Sequence, residues 1–202
     1  SSAASDVYKR QVLNTAGDPN NTYISGKELY VYRDDSTKID SGNILAKAEC
    51  SSQGDAALKN LVDNNEATGY HSSWGGNSGT VAADEGFTTV VRPGTTITPS
   101  ELVSRNNLYI NLASSETIGK IAYLPRQGSG SGVANGRITA ANIYISNSDV
   151  DDVSAITDWK QVATADWENN SDEKNVTFSP ETAKHIRIEV KHSAGDQTDA
   201  YI

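Results

Sequence analysis

The sequence predicts an all-β protein, an antiparallel β-sandwich, from three observations. About eight short segments alternate apolar with polar residues or are rich in β-branched and aromatic side chains. Gly, Asn, Asp and Pro stand between these segments, where tight turns need them. One short stretch, and no more, carries a helical signal, so sheet must pack on sheet.

Taken in order, residues 1–26 are polar, lack sustained apolar periodicity and read as a leader or linker. The opening Ser-Ser-Ala-Ala-Ser-Asp-Val-Tyr-Lys-Arg-Gln resembles a cloning scar. Lys27 to Arg33 alternates and is aromatic-rich; residues 27–43 read as an edge strand or as the tail of a preceding module. Ile44 to Cys50 reads as the first core strand, Ile44, Ala46 and Ala48 sharing one face. Asp55 to Leu61 reads as one or two helical turns with Asp55 as N-cap. Residues 75–105 contain Gly, Thr and Pro and one short β-like run at Thr88 to Val91. Leu108 to Leu112 and Ile118 to Leu124 read as two strands lying side by side, the second ended by Pro125, which cannot donate to a ladder. The Gly-Ser-Gly-Ser-Gly run at 128–132 is a spacer. Further strands are expected at Ile138 to Ser146, Trp159 to Ala165, Lys174 to Phe178 and His185 to Lys191. In the last, Ile186, Ile188 and Val190 should face inward and Arg187, Glu189 and Lys191 face water.

Composition restricts the function classes. The chain has 202 residues, enough for one well-packed domain and an appendage. With 17 basic and 26 acidic residues the net charge is −9, and no Lys/Arg cluster interrupts it, so nucleic acid is not an expected partner. A lone Cys50 has no disulfide partner and no metal-ligand spacing, and reads as a small buried thiol. No run of about 18 apolar residues exists, so membrane insertion is not expected.

The stretch from Leu61 to Trp74 concentrates the chemistry: an Asp/Asn-rich turn rich in hard oxygens, followed by Tyr70, His71 and Trp74. Leu61-Val62-Asp63-Asn64-Asn65, Thr68, Tyr70 and His71-Ser72 resemble the L-I-D-G-N-x-x-T-x-W-H-S signature of the discoidin family, the coagulation factor V/VIII C-type domains, whose bacterial branch is carbohydrate-binding module family 32. Leu108 to Leu112 followed by Ile118 to Gln127 resembles that family's I-x-I-D-L-G and I-x-x-I-x-Y-L-P-R-Q run. Asn135-Gly136-Arg137-Ile138 to Ser146 resembles its N-G-R-I-x-x-Y-x-I-Y-V-S. The likeness covers residues 44–202 and makes 75–105 an insertion.

The resemblance implies a jelly-roll of the galactose-binding domain-like kind. Residue by residue it also implies a sugar site at His71, Trp74, Arg126, Asn135 and Tyr201, in which His, Arg and Asn meet hydroxyls while an aromatic plane takes the apolar face of the ring. It implies a structural calcium ion at Asp63, Asn65 and Thr68. A glutamate from a closing S-A-x-E-I strand normally assists that ion, and the chain stops at Ile202, which makes the domain C-terminally truncated on this reading. The expected role is a non-catalytic module, monomeric and tethered to other modules of a secreted or cell-surface bacterial protein such as a glycoside hydrolase, bringing it to terminal galactose- or N-acetylgalactosamine-type glycans. The alternative is a discoidin-type adhesion domain for protein or phospholipid.

Catalysis finds little support in the residues. Asp34-Asp35 and Asp151-Asp152 lie in polar turns and read as solvated charge. His71 precedes Ser72 and Ser73, but no G-x-S-x-G elbow is present. His185 and His192 lack a zinc-site spacing, and Trp159 and Trp167 read as core or edge aromatics.

Overall fold

A computed structural model describes residues 24–48, 56–72, 107–129 and 132–194. Their strands are β1 (Ser25–Gly26), β2 (Glu28–Arg33), β3 (Ile44–Ala48), β4 (Tyr70–His71), β5 (Asn107–Leu124), β6 (Ile138–Ser146), β7 (Lys160–Asp166) and β8 (Lys174–Ser193). All the ladders between them are antiparallel, as expected of the sandwich.

The backbone of the sandwich is the β5–β8 pair. The segments 108–112 and 118–124 were expected to lie side by side, yet they are the two halves of one strand, and 174–178 and 185–191 are likewise halves of β8. The reason is in the register: both strands run alongside each other throughout, with irregularities between Asn111 and Glu116 and between Ile118 and Lys120. Such bulges bend a ladder without ending it. Before the bend β5 pairs with β3, and after it with β2. β8 carries β6 and then β7 on its other side. The main core joins the two sides: Leu29 and Val31 of β2 and Ile121 and Tyr123 of β5 belong to the same cluster as Ile110, Ile143, Ile186 and Ile188, while Tyr109, Val153 and Ile156 form a second, smaller one.

Several local expectations change. The helical turn is a 3-10 turn, Leu58–Leu61, with extended Ala57 at its N-cap and no side-chain cap, because Leu58 and Leu61 are drawn into the core; Asp55 lies outside the described residues, as do Cys50 and the run at 88–91. Glu189, expected in water, is buried: its Oε2 accepts from Asn142 Nδ2 at 2.9 Å and from the Tyr144 hydroxyl at 3.2 Å, and that pairing makes its burial tolerable. Arg187 lies flat, 4.1 Å from the Tyr144 ring centre and 5.1 Å from that of Trp159. Ser25 and Gly26, at the end of the stretch read as leader, form β1, and Ile24 and Ser25 are 1% and 0% exposed. β2 follows as the edge strand beside the second half of β5.

Candidate carbohydrate site and cation loop

His71 is set by a two-stranded sheet, the smaller of the two among the described residues. β4 pairs with β1, Ser25 opposite His71, and the pairing is extended by Ser72 N to Ile24 O at 2.8 Å and Ile24 N to Ser72 Oγ at 2.9 Å. The imidazole is buried, with Nδ1 against the Ser72 carbonyl. Its pKa lies below the ordinary value, chiefly because burial disfavours the cation, with the neighbouring Arg126 charge acting in the same direction. His71 is therefore a neutral imidazole at pH 7, able to donate from one nitrogen and accept at the other.

Ser25 carries the remaining groups to the same place. Its N–H donates to Gly136 O at 2.8 Å, its hydroxyl to Asn135 O at 2.7 Å, and it bridges to Arg137 in parallel fashion. Arg137 Nε reaches back to the Arg126 carbonyl at 2.9 Å. The excursion after Arg126 is thereby closed at its base, so the intervening spacer does not carry Asn135 away. Asn135-Gly136 is a tight turn held against Ser25. Gly136 has φ +82°, and a Cβ there would stand 2.8 Å from Ser25 N, so glycine alone fits. Tyr123 fixes the other side: fully buried, it donates its hydroxyl to Ser25 O and accepts from Ile138 N.

Two polar atoms of this cluster, Arg126 Nη1 and Asn135 Oδ1, are buried and have no hydrogen-bond partner among the described residues. Buried donors and acceptors normally find partners, so a donor and an acceptor left over beside a neutral imidazole make a place for hydroxyl groups. Of the five residues expected in a sugar site, His71, Arg126 and Asn135 are brought together; Trp74 and Tyr201 lie outside the described residues.

The Asp63 loop is a second cluster. Asp63 Oδ1 accepts from Asn65 N and Oδ2 from the Thr68 hydroxyl, both at 2.9 Å, and Thr68 Oγ1 also donates to the Asn65 carbonyl at 2.8 Å. Asn64 adopts φ 60°, which turns successive N–H groups inward. They meet a residue that the sequence reading passed over. Glu28, fully buried on β2, takes Asn65 N at 2.7 Å and Asn64 N at 3.2 Å on its two oxygens. Burial, then a hydrogen bond with the Asp63 carboxyl, raises its pKa to about 7, while the two N–H groups act the other way. Asp63, Asn65 and Thr68 are thus adjacent, and Glu28 adds a second carboxylate. Two neighbouring carboxylates with a carbonyl and a hydroxyl beside them fit a hard divalent cation, which would replace the proton held by Glu28. A signal for Glu28 stood in the sequence: Ser25-Gly26-Lys27-Glu28-Leu29 follows the S-A-x-E-I pattern, at the opposite end of the chain from where it was sought.

With this geometry in view, comparison with known proteins is decisive for the family. The sequence matches the F5/8 type C domain profile over residues 46–200. The chain belongs to the F5/8 type C, or discoidin, family. Solved structures with the same fold include the family 32 CBM of Clostridium perfringens NanJ in complex with galactose, at 23% identity and a TM-score of 0.53, covering 83% of this chain and 91% of that one. CBM32-3 from a family 31 glycoside hydrolase of Clostridium perfringens matches at 20% identity and a TM-score of 0.53, with 81% and 87% covered. No curated protein sequence matches the chain. No helix among the described residues is long and apolar enough to cross a membrane.

Proposed function

We propose that this F5/8 type C domain is a non-catalytic carbohydrate-binding module that holds a terminal galactose- or N-acetylgalactosamine-type residue at His71, Arg126 and Asn135. The observation that carries the reading is the unsatisfied pair, Arg126 Nη1 as donor and Asn135 Oδ1 as acceptor, beside neutral His71. An axial hydroxyl on such a ring stands clear of its neighbours and can take a donor and an acceptor at once. Trp74 supplies the aromatic plane on this reading, and Tyr201 an outer aromatic. The galactose bound to the NanJ module, which has the same fold, agrees with this ligand class. The module would serve a secreted or cell-surface bacterial protein, a glycoside hydrolase being the fitting kind, tethered to its other modules.

Calcium is the proposed structural ion, held by Asp63, Asn65, Thr68 and Glu28. When bound it supplies positive charge that neutralises the two carboxylates and fixes the loop leading to His71. Glycan-array binding in calcium, beside His71→Ala and Trp74→Ala, tests the sugar reading. Galactose-type hits lost in both variants are expected, and unchanged affinity in both rejects this site. Melting midpoints identical in calcium and in chelator would remove the ion.

A further inference from the structure

We propose that residues 24–33 form an exchangeable closing strand, and that the slot receiving it also accepts the same strand from a second copy of this chain. The strand lies outside the family match, which begins at residue 46, yet it finishes the structure. Ile24, Ser25, Glu28, Leu29 and Val31 are each 2% exposed or less. It also completes both clusters, through Ser25 at one and Glu28 at the other.

Its attachment is that of a donated part. Among the described residues β2 is an edge strand whose one strand ladder is to β5, along Ile118 to Leu124; beyond it lies the turn back to Ile39, whose N–H donates to Val31 O at 2.8 Å. It joins the rest of the chain through residues 34–38, all exposed. That connection is a tight turn, with Ser36 N to Arg33 O at 3.0 Å and Arg33 N to Thr37 O at 2.9 Å, and Ser36 is forced to φ 67°. A serine in the left-handed region is strained, and a strained short hinge favours opening into the extended form in which exchange occurs. Opening the turn relieves Ser36 and leaves every contact of the strand to be remade in the partner.

The slot selects its occupant, and that selection names the second copy. Position 26 must be glycine, because a Cβ there would stand 2.6 Å from the Tyr123 ring. Position 28 must bring a carboxylate to the Asn64 and Asn65 N–H groups, and positions 29 and 31 must be apolar. A Ser-Gly-x-Glu-apolar-x-apolar strand is what this chain itself carries at 25–31. The exchange is reciprocal, so two copies close on each other and the assembly stops at a dimer.

The test uses a cross-strand pair. Tyr32 of β2 stands opposite Lys120 of β5. In a Cys50→Ala background, full-length Tyr32→Cys and Lys120→Cys chains are mixed, refolded together at high concentration and oxidised. A disulfide-linked species of twice the chain mass is expected in the mixture and in neither variant alone. Wild type refolded at high concentration should show the same doubled mass by light scattering and revert to monomer on dilution and warming. Ser36→Gly, which removes the strain at the hinge, should lower the dimer fraction several-fold. A mixture that remains monomeric, or a dimer that never forms the 32–120 cross-link, overturns the proposal.

Discussion

Replacing Glu28 by Gln offers a sharp probe of the cation loop. Glutamine imitates most of the protonated carboxyl: its Oε1 can take the Asn65 N–H and its Nε2 can donate to Asp63, with loss of the longer bond, 3.2 Å, that Oε2 accepts from Asn64 N. The folded-state pKa of Glu28 is raised from 4.5 to about 7, so the folded chain holds this proton more tightly than the unfolded chain. Its stability contribution is therefore complete below pH 4.5 and declines as pH rises to about 7, by roughly 3 kcal/mol in all. In chelator at pH 8, Glu28→Gln should melt about 6–12 °C above wild type, and the two should converge near pH 4.5. His71 and His185, whose pKa values lie below the ordinary 6.5, have the opposite slope and weaken the fold as pH falls below 6.5. Both chains share those histidines, so the difference between the melts isolates Glu28. Calcium should reverse the ranking at pH 8, because the ion replaces the proton in wild type and finds one carboxylate fewer in the variant. A gap between the melts that does not change with pH, or wild type the more stable in chelator at pH 8, would refute the argument.

Three further outcomes follow from the support of the site. Tyr123→Phe removes a buried hydroxyl that donates to Ser25 O and accepts from Ile138 N, and should cost about 1–3 kcal/mol in denaturant unfolding. Gly136→Ala places a methyl 2.8 Å from Ser25 N in a left-handed backbone; loss of about 2 kcal/mol or more, with loss of sugar binding, is expected by melting and titration calorimetry. Arg126→Ala and Asn135→Ala should each weaken galactose binding about 10-fold or more while leaving the melting midpoint near that of wild type, since the atoms concerned have no partners among the described residues.

The strands were legible because their periodicity is strong: β6 occupies the whole of Ile138–Ser146, and β5 ends at Leu124 before Pro125. Continuity was not legible. The polar run Ser114-Ser115-Glu116 looks like a turn, but it is the exposed outside of a bend whose two ends stay in register with β8. Glu189 shows a similar limit, since alternation gives the face a side chain occupies and not whether a neighbouring strand brings Asn142 and Tyr144 to satisfy it there. His71, Arg126, Asn135 and the Asp63 loop belong to motifs that are local in the sequence. Ser25 and Glu28 carry a local pattern too, but their roles come from pairing with residues far along the chain, 110 positions away for Ser25 and Asn135.

That distance also bears on how the proposed site would hold a ligand in one orientation. Loops position side chains loosely unless the scaffold over-determines them. Here the His71 strand, the Asn135 turn and the Arg126 carbonyl are separate loops in sequence, and each is tied into one short network: His71 by pairing with Ser25, Asn135 by the Ser25 hydroxyl, Arg126 by Arg137, which itself bridges Ser25. Tyr123 anchors that network to the core with no exposure of its own. A ligand entering such a site meets groups already fixed, so little of its binding energy is spent on ordering them. The same economy makes Ser25 a poor candidate for substitution, since moving its backbone shifts three residues of the proposed site together.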